Sequence, residues 1–123
     1  MRYGGLIMPA AALIFAGCSD STYGGGASCT PTATQVCMAG SQFSPTTLTI
    51  THGTMVTWRN GATVGHTVTS ATGSADTYDS GNVGSSGTFS HTFATAGTYQ
   101  YYCKIHGANG APPTGMHGTI TVN

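Results

Sequence analysis

The chain has 123 residues, about one domain's worth, with 3 basic and 3 acidic side chains and a formal net charge of zero. Only 5% of residues are charged, against roughly 25% in an ordinary soluble protein, so there is no basic patch for a phosphate backbone and a nucleic-acid binder is excluded. Leu, Ile, Val and Phe are scarce, but disorder also demands high net charge, and the wealth of Thr and Gly favours short strands and tight turns instead.

Residues 1–17 read as an export signal. Arg2 precedes the apolar run Leu6–Ala16, whose eleven residues fall short of the roughly 20 that a helix needs to cross a hydrocarbon core. The run closes on Phe15-Ala16-Gly17-Cys18, which resembles a bacterial lipobox. That resemblance implies that Cys18 is lipidated and becomes the first mature residue; the alternative is an ordinary secretory signal that leaves Cys18 as a spare thiol. Either reading exports the protein and permits disulfides. Residues 18–35 then form a tether, small, polar and Gly-rich at its start, and it includes Cys29.

The folded domain is expected over 36–123. Leu48-Thr49-Ile50-Thr51 alternates apolar and polar, His52-Gly53 turns, and Val56-Thr57-Trp58 alternates again before the turn signal Asn60-Gly61. His66–Thr69 is predicted as a further strand, followed by a Gly- and Ser-rich loop over 70–87. Phe89, His91 and Phe93 share one strand face, Ala96-Gly97 turns into Thr98–Cys103, and Gly118–Val122 closes the domain. No apolar repeat of helical period follows the signal, so the pattern predicts an all-β sandwich.

The cysteines divide by surroundings. Cys29 and Cys37 lie close together, either bridged or as two free thiols, and a bridge would contribute about 2–3 kcal/mol by the chain-entropy argument. Cys103 stands alone before a histidine-bearing loop, and an unpaired cysteine in an exported protein asks for a metal. His106 follows three residues later and Met116 ten after that, while His66 stands upstream beside a strand. Two His, one Cys and a weak axial Met form the ligand set of a blue-copper electron-transfer site.

At this point the sequence resembles the cupredoxins, especially the plastocyanin-like bacterial members. The likeness runs from Phe43-Ser44-Pro45 through Val56-Thr57-Trp58-Arg59-Asn60 and His66-Thr67-Val68. It continues through Asp79-Ser80-Gly81, Thr88–Phe93 and Gly97-Thr98-Tyr99 to the Cys103 loop and Val122. The resemblance implies a Greek-key β-sandwich of about seven or eight strands. It also implies one copper ion held by His66, Cys103, His106 and the axial Met116, with His117 as a rival for the axial place. Nine residues separate His106 from Met116, more than in plastocyanin. Pro112-Pro113 either stiffens this insertion enough to return Met116 to the metal, or the longer loop loosens the axial bond.

The implied function is single-electron transfer between redox partner proteins by Cu(I)/Cu(II) cycling, with the edge of His106 as the electron port. Gly107, Ala108, Ala111, Pro112 and Pro113 would form an apolar docking face around it. The protein would be a monomer in the bacterial periplasm, anchored to a membrane through lipid on Cys18, the outer membrane favoured by Ser19. Copper storage or delivery is the alternative. A multicopper enzyme needs more histidines than five, and a non-metal adhesion module would leave Cys103 merely buried. Trp58 is expected in the core, Tyr99, Tyr101 and Tyr102 in core and rim packing instead of an aromatic relay, His52 in a solvated turn, and His91 partly buried and hydrogen-bonded.

Overall fold

In the computed structural model, which describes residues 28–123, eight strands and no helix occur among the described residues. The signal segment 1–17, Cys18 and the start of the tether lie outside them. One sheet runs in the order β2 (Gln42–Ser44), β1 (Gln35–Ala39), β4 (Thr54–Asn60), β6 (Thr88–Phe93). The other runs β3 (Thr47–Ile50), β8 (Thr114–Val122), β7 (Gly97–Ala108), β5 (Thr69–Ser70). The pairs β1–β4 and β3–β8 are parallel and the rest antiparallel. The expected all-β sandwich is the observed architecture.

Two-residue alternation builds the core. Leu48 and Ile50 on β3, Val56 and Trp58 on β4, and Ile120 and Val122 on β8 all point inward and are buried. Trp58 sits at the centre, edge-on to Tyr101 with ring centroids 5.3 Å apart. Burial pushes the phenols of Tyr78 and Tyr101 up, so both stay protonated. The inward face of β7 reads Tyr99, Tyr101, Cys103, which carries the core stripe directly to the cysteine. The thiol therefore lies where the hydrophobic core ends.

The expected strand over His66–Thr69 is mostly not one. Only Thr69–Ser70 joins the sheet, and His66 instead makes a reciprocal backbone pair with Val83. The reason is that the intervening amides are spent elsewhere: Thr67 N–H goes to Cys103 Sγ and Val68 N–H to Ser80 Oγ. Beside β4, where Cys37 is the register neighbour of Arg59, Cys29 and Cys37 are joined by a disulfide that ties the incoming chain to β1. His52 is exposed in its turn, and His91 is half-buried, bonded to Asp76 at 2.7 Å and packed on Tyr78.

Candidate metal centre

A register shift makes the site. Tyr102 of β7 faces His117 of β8, yet Gly107 already faces Gly115. Five steps along one strand match two along the other, so residues 103–106 swell out opposite the single residue Met116. Cys103 opens this bulge, His106 closes it, and Met116 is buried across from it. Two glycines let the strands close again. At Gly107 a Cβ would lie 2.8 Å from the carbonyls of both Thr114 and Met116, and at Gly115, where φ is +70°, it would lie 2.7 Å from the His106 carbonyl. The nine-residue insertion is thereby folded into a hairpin, with Ala108 paired to Thr114 and the tip tied down by Thr72 N–H donating to Asn109 Oδ1.

His66 arrives on the connection that follows β4 of the opposite sheet. Asn60, the last residue of β4, is fully buried and its side chain makes three hydrogen bonds to two segments: Nδ2 donates to the carbonyls of Val64 (2.8 Å) and Val83 (2.9 Å), while Oδ1 accepts from Ala62 N–H. Val83 is the backbone partner of His66. One amide side chain thus fixes both the loop that precedes the histidine and the segment that pairs with it.

Across 37 residues, Cys103 Sγ comes within 3.8 Å of His66 Nδ1 and 3.7 Å of His106 Nδ1, and the two Nδ1 atoms are 3.1 Å apart. At that distance at most one of these nitrogens carries a proton, so at least one lone pair points into the cluster. Burial holds the His66 imidazole below its ordinary value and the neighbouring His106 acts in the same direction, against a smaller opposing effect of the Gly40 backbone. A neutral imidazole is what a metal requires. The Cys103 sulfur accepts the Thr67 amide at 3.3 Å, and Thr67 Oγ1 accepts the Lys104 amide at 2.8 Å, clamping the two segments together. Two imidazole nitrogens and a thiol with no carboxylate among them suit copper, and they do not suit a hard oxygen-seeking cation.

Residues 27–123 match the model of the copper binding proteins of the plastocyanin/azurin family. The chain belongs to that family. The cupredoxin is 36% identical over 88 residues to plastocyanin of Scenedesmus fuscus, an alignment that covers 65% of this chain and 85% of the relative. Its fold matches a reduced amicyanin mutant with a TM-score of 0.62 at 26% identity, over 72% of this chain and 80% of that one. It also matches a purple cupredoxin from Nitrosopumilus maritimus with a TM-score of 0.58 at 26% identity, over 72% of this chain and 98% of that one. This cupredoxin holds one copper ion and serves electron transfer, and the His66–Cys103–His106 cluster fits a single such ion.

Of the residues singled out in the sequence, these three lie together and Met116 faces the bulge that two of them bound. His117 points the other way along the pleat, its Nδ1 bonded to the Gly115 carbonyl at 2.8 Å. Pro113 is buried and drops out of the expected docking face; Ala108, Ala111 and Pro112 are exposed. Sequence reasoning missed Asn60, Thr67 and the Gly107–Gly115 pair. Asn60 looked like a turn residue because its side-chain partners are backbone groups of segments up to 23 residues away.

Proposed function

We propose that His66, Cys103, His106 and Met116 hold the copper of this cupredoxin, and that the protein passes electrons singly between partner proteins as a carrier, not a catalyst. Bound copper supplies a one-electron couple between Cu(I) and Cu(II). The observation that carries the reading is the convergence of two Nδ1 atoms and a buried sulfur, with a backbone N–H already aimed at that sulfur. The chain's own contribution is rigidity. His66 is pinned by Val83 and Asn60, and Cys103 and His106 by the closure of the bulge, so the donor atoms need little rearrangement when the charge of the site changes.

His106 is half-buried, so its ring bridges the cluster and the solvent. Around it, Ile105 and Val64 are large apolar residues about half exposed, and Ala108, Ala111 and Pro112 extend the same character. This face is the proposed docking surface. Beyond residue 18 the only basic side chains are Arg59 and Lys104, and Lys104 is paired with Asp79, so little long-range field steers a partner. Electron-transfer rates measured by stopped flow should stay nearly flat from low salt to physiological ionic strength. A steep fall would contradict the apolar docking face.

The Cys29–Cys37 disulfide supports an oxidising, extracytoplasmic compartment. We place the cupredoxin in the bacterial periplasm as a monomer, with residues 1–17 as signal, Cys18 lipidated in a membrane (the outer one favoured by Ser19) and the stretch between Cys18 and the Cys29–Cys37 disulfide as the tether. The test of the centre is a Cu(II) titration of the soluble domain followed by optical and EPR spectra. One equivalent should give an intense thiolate-to-copper band that cycles reversibly. Cys103→Ser should abolish the band, and Met116→Leu should keep copper while shifting the potential. An unchanged spectrum in Cys103→Ser overturns the assignment, and copper that transfers to an apo acceptor without reversible cycling would mark a delivery protein instead.

A further inference from the structure

We propose that Asp79 is a positioning residue for the redox centre, acting through a closed ring of hydrogen bonds that holds the Thr67 amide on the Cys103 sulfur. The inference rests on reading Cys103 as the thiolate ligand. The ring has four members from three segments. Lys104 N–H donates to Thr67 Oγ1 at 2.8 Å, Thr67 Oγ1 lies 3.0 Å from Thr69 Oγ1, and Thr69 Oγ1 donates to Asp79 Oδ1 at 3.2 Å. The Lys104 ammonium returns to Asp79 Oδ2 and closes the circuit.

The direction of the ring is forced. An ionised carboxylate only accepts, so the Thr69 hydroxyl spends its single proton on Asp79. Thr69 is then left to accept from Thr67, and Thr67, its own proton spent, accepts from the Lys104 amide. The pull of Lys104 keeps the Asp79 carboxyl below its usual range, aided by the Gly81 amide, so the acceptor stays charged at neutral pH. Both threonines are buried, so no bulk water substitutes for the link between them, while Asp79 and Lys104 close the ring at the solvent edge. The Thr67 hydroxyl is fixed at one end of the residue and its N–H rests on Cys103 Sγ at the other. An amide on the sulfur draws electron density from it and favours the reduced state of the centre.

Two routes from Asp79 to the centre therefore have opposite signs. Loss of the ring loosens the amide and lowers the midpoint potential, whereas loss of a negative charge acting directly through space raises it. Thr69→Val separates them, because it cuts the ring without altering shape or charge. In the copper-free protein, Thr69→Val should speed hydrogen exchange at the Thr67 and Lys104 amides several-fold relative to the core amide of Ile120. In the copper-loaded protein it should lower the midpoint potential. Asp79→Ala should speed the same two amides in the wild-type background and add nothing in the Thr69→Val background.

Equal effects of Asp79→Ala in the two backgrounds overturn the proposal. So does an unchanged potential in Thr69→Val, or exchange that accelerates at Ile120 as much as at Thr67. A wild-type protein without a thiolate–copper band would instead fell the ligand assignment on which the inference stands, and with it the potential half of the test. The exchange data on copper-free protein would still report the ring itself.

Discussion

Asn60→Ala tests how the upstream histidine is held. The substitution removes three hydrogen bonds at a fully buried position. Their loss is unequal. The Val83 carbonyl keeps a partner, since it also accepts the His66 amide at 3.1 Å, and the Val64 carbonyl lies near solvent in a half-exposed residue. The Ala62 amide has no such refuge, so it bears the full cost of an unmade bond. At about 1–3 kcal/mol for a stranded buried group and about 1 kcal/mol for a bond that water replaces, the sum is about 2–4 kcal/mol. That is a large share of the roughly 5–15 kcal/mol that stabilises an ordinary domain. Urea unfolding of the copper-free domain should therefore show a midpoint lowered by about 1–3 M at unchanged slope. Asn60→Asp sharpens the argument. It keeps the shape and the acceptor for Ala62 N–H, yet it turns a carboxylate oxygen toward two carbonyls and should cost at least as much as Ala. A loss under about 1 kcal/mol for Ala, or an Asp variant as stable as wild type, would refute the reasoning.

Three further outcomes follow from the same geometry. Gly115→Ala must place a Cβ 2.7 Å from the His106 carbonyl at a φ of +70°, so it should cost about 1–3 kcal/mol by calorimetry and alter the visible spectrum of the copper form; an unchanged spectrum would mean that the hairpin closure does not position the ligands. Replacing Cys29 and Cys37 together by Ala removes the cross-link and should lower stability by about 2–3 kcal/mol while leaving the copper spectrum intact, which separates the staple from the centre. The bond from His91 lowers the Asp76 carboxyl below its ordinary 3.8, so this contact contributes stability above that pH and loses it as the pH falls through the folded value. Asp76→Asn should flatten the acid limb of a stability–pH curve, by a small amount because the pair is solvent-screened.

The sandwich was legible because strands with one buried face leave a period of two in the sequence, as in Leu48/Ile50 and the closing Thr119–Val122 segment. The metal-binding residue types were legible because Cys103 and His106 fall in one short loop. What the sequence hid is non-local. The parallel pairing of β1 with β4 and of β3 with β8 joins segments with no turn between them to announce it. The His66 segment looked like a strand from its alternation, yet the amide of Thr67 is claimed by a sulfur 36 residues away. Gly107 and Gly115 each pass for ordinary loop glycines; only their face-to-face position across the shifted register explains both.

That shifted register has an architectural consequence. Because the ladder between β7 and β8 is in step on either side of residues 103–106, the segment beyond Ala108 behaves as a cassette clipped onto a finished frame. Changing the length of the tip between Asn109 and Thr114 is expected to leave the pairing of Gly97–Tyr102 with His117–Val122 undisturbed. The tip of the proposed docking face is thus expected to vary in length more freely than the scaffold that presents the donor atoms.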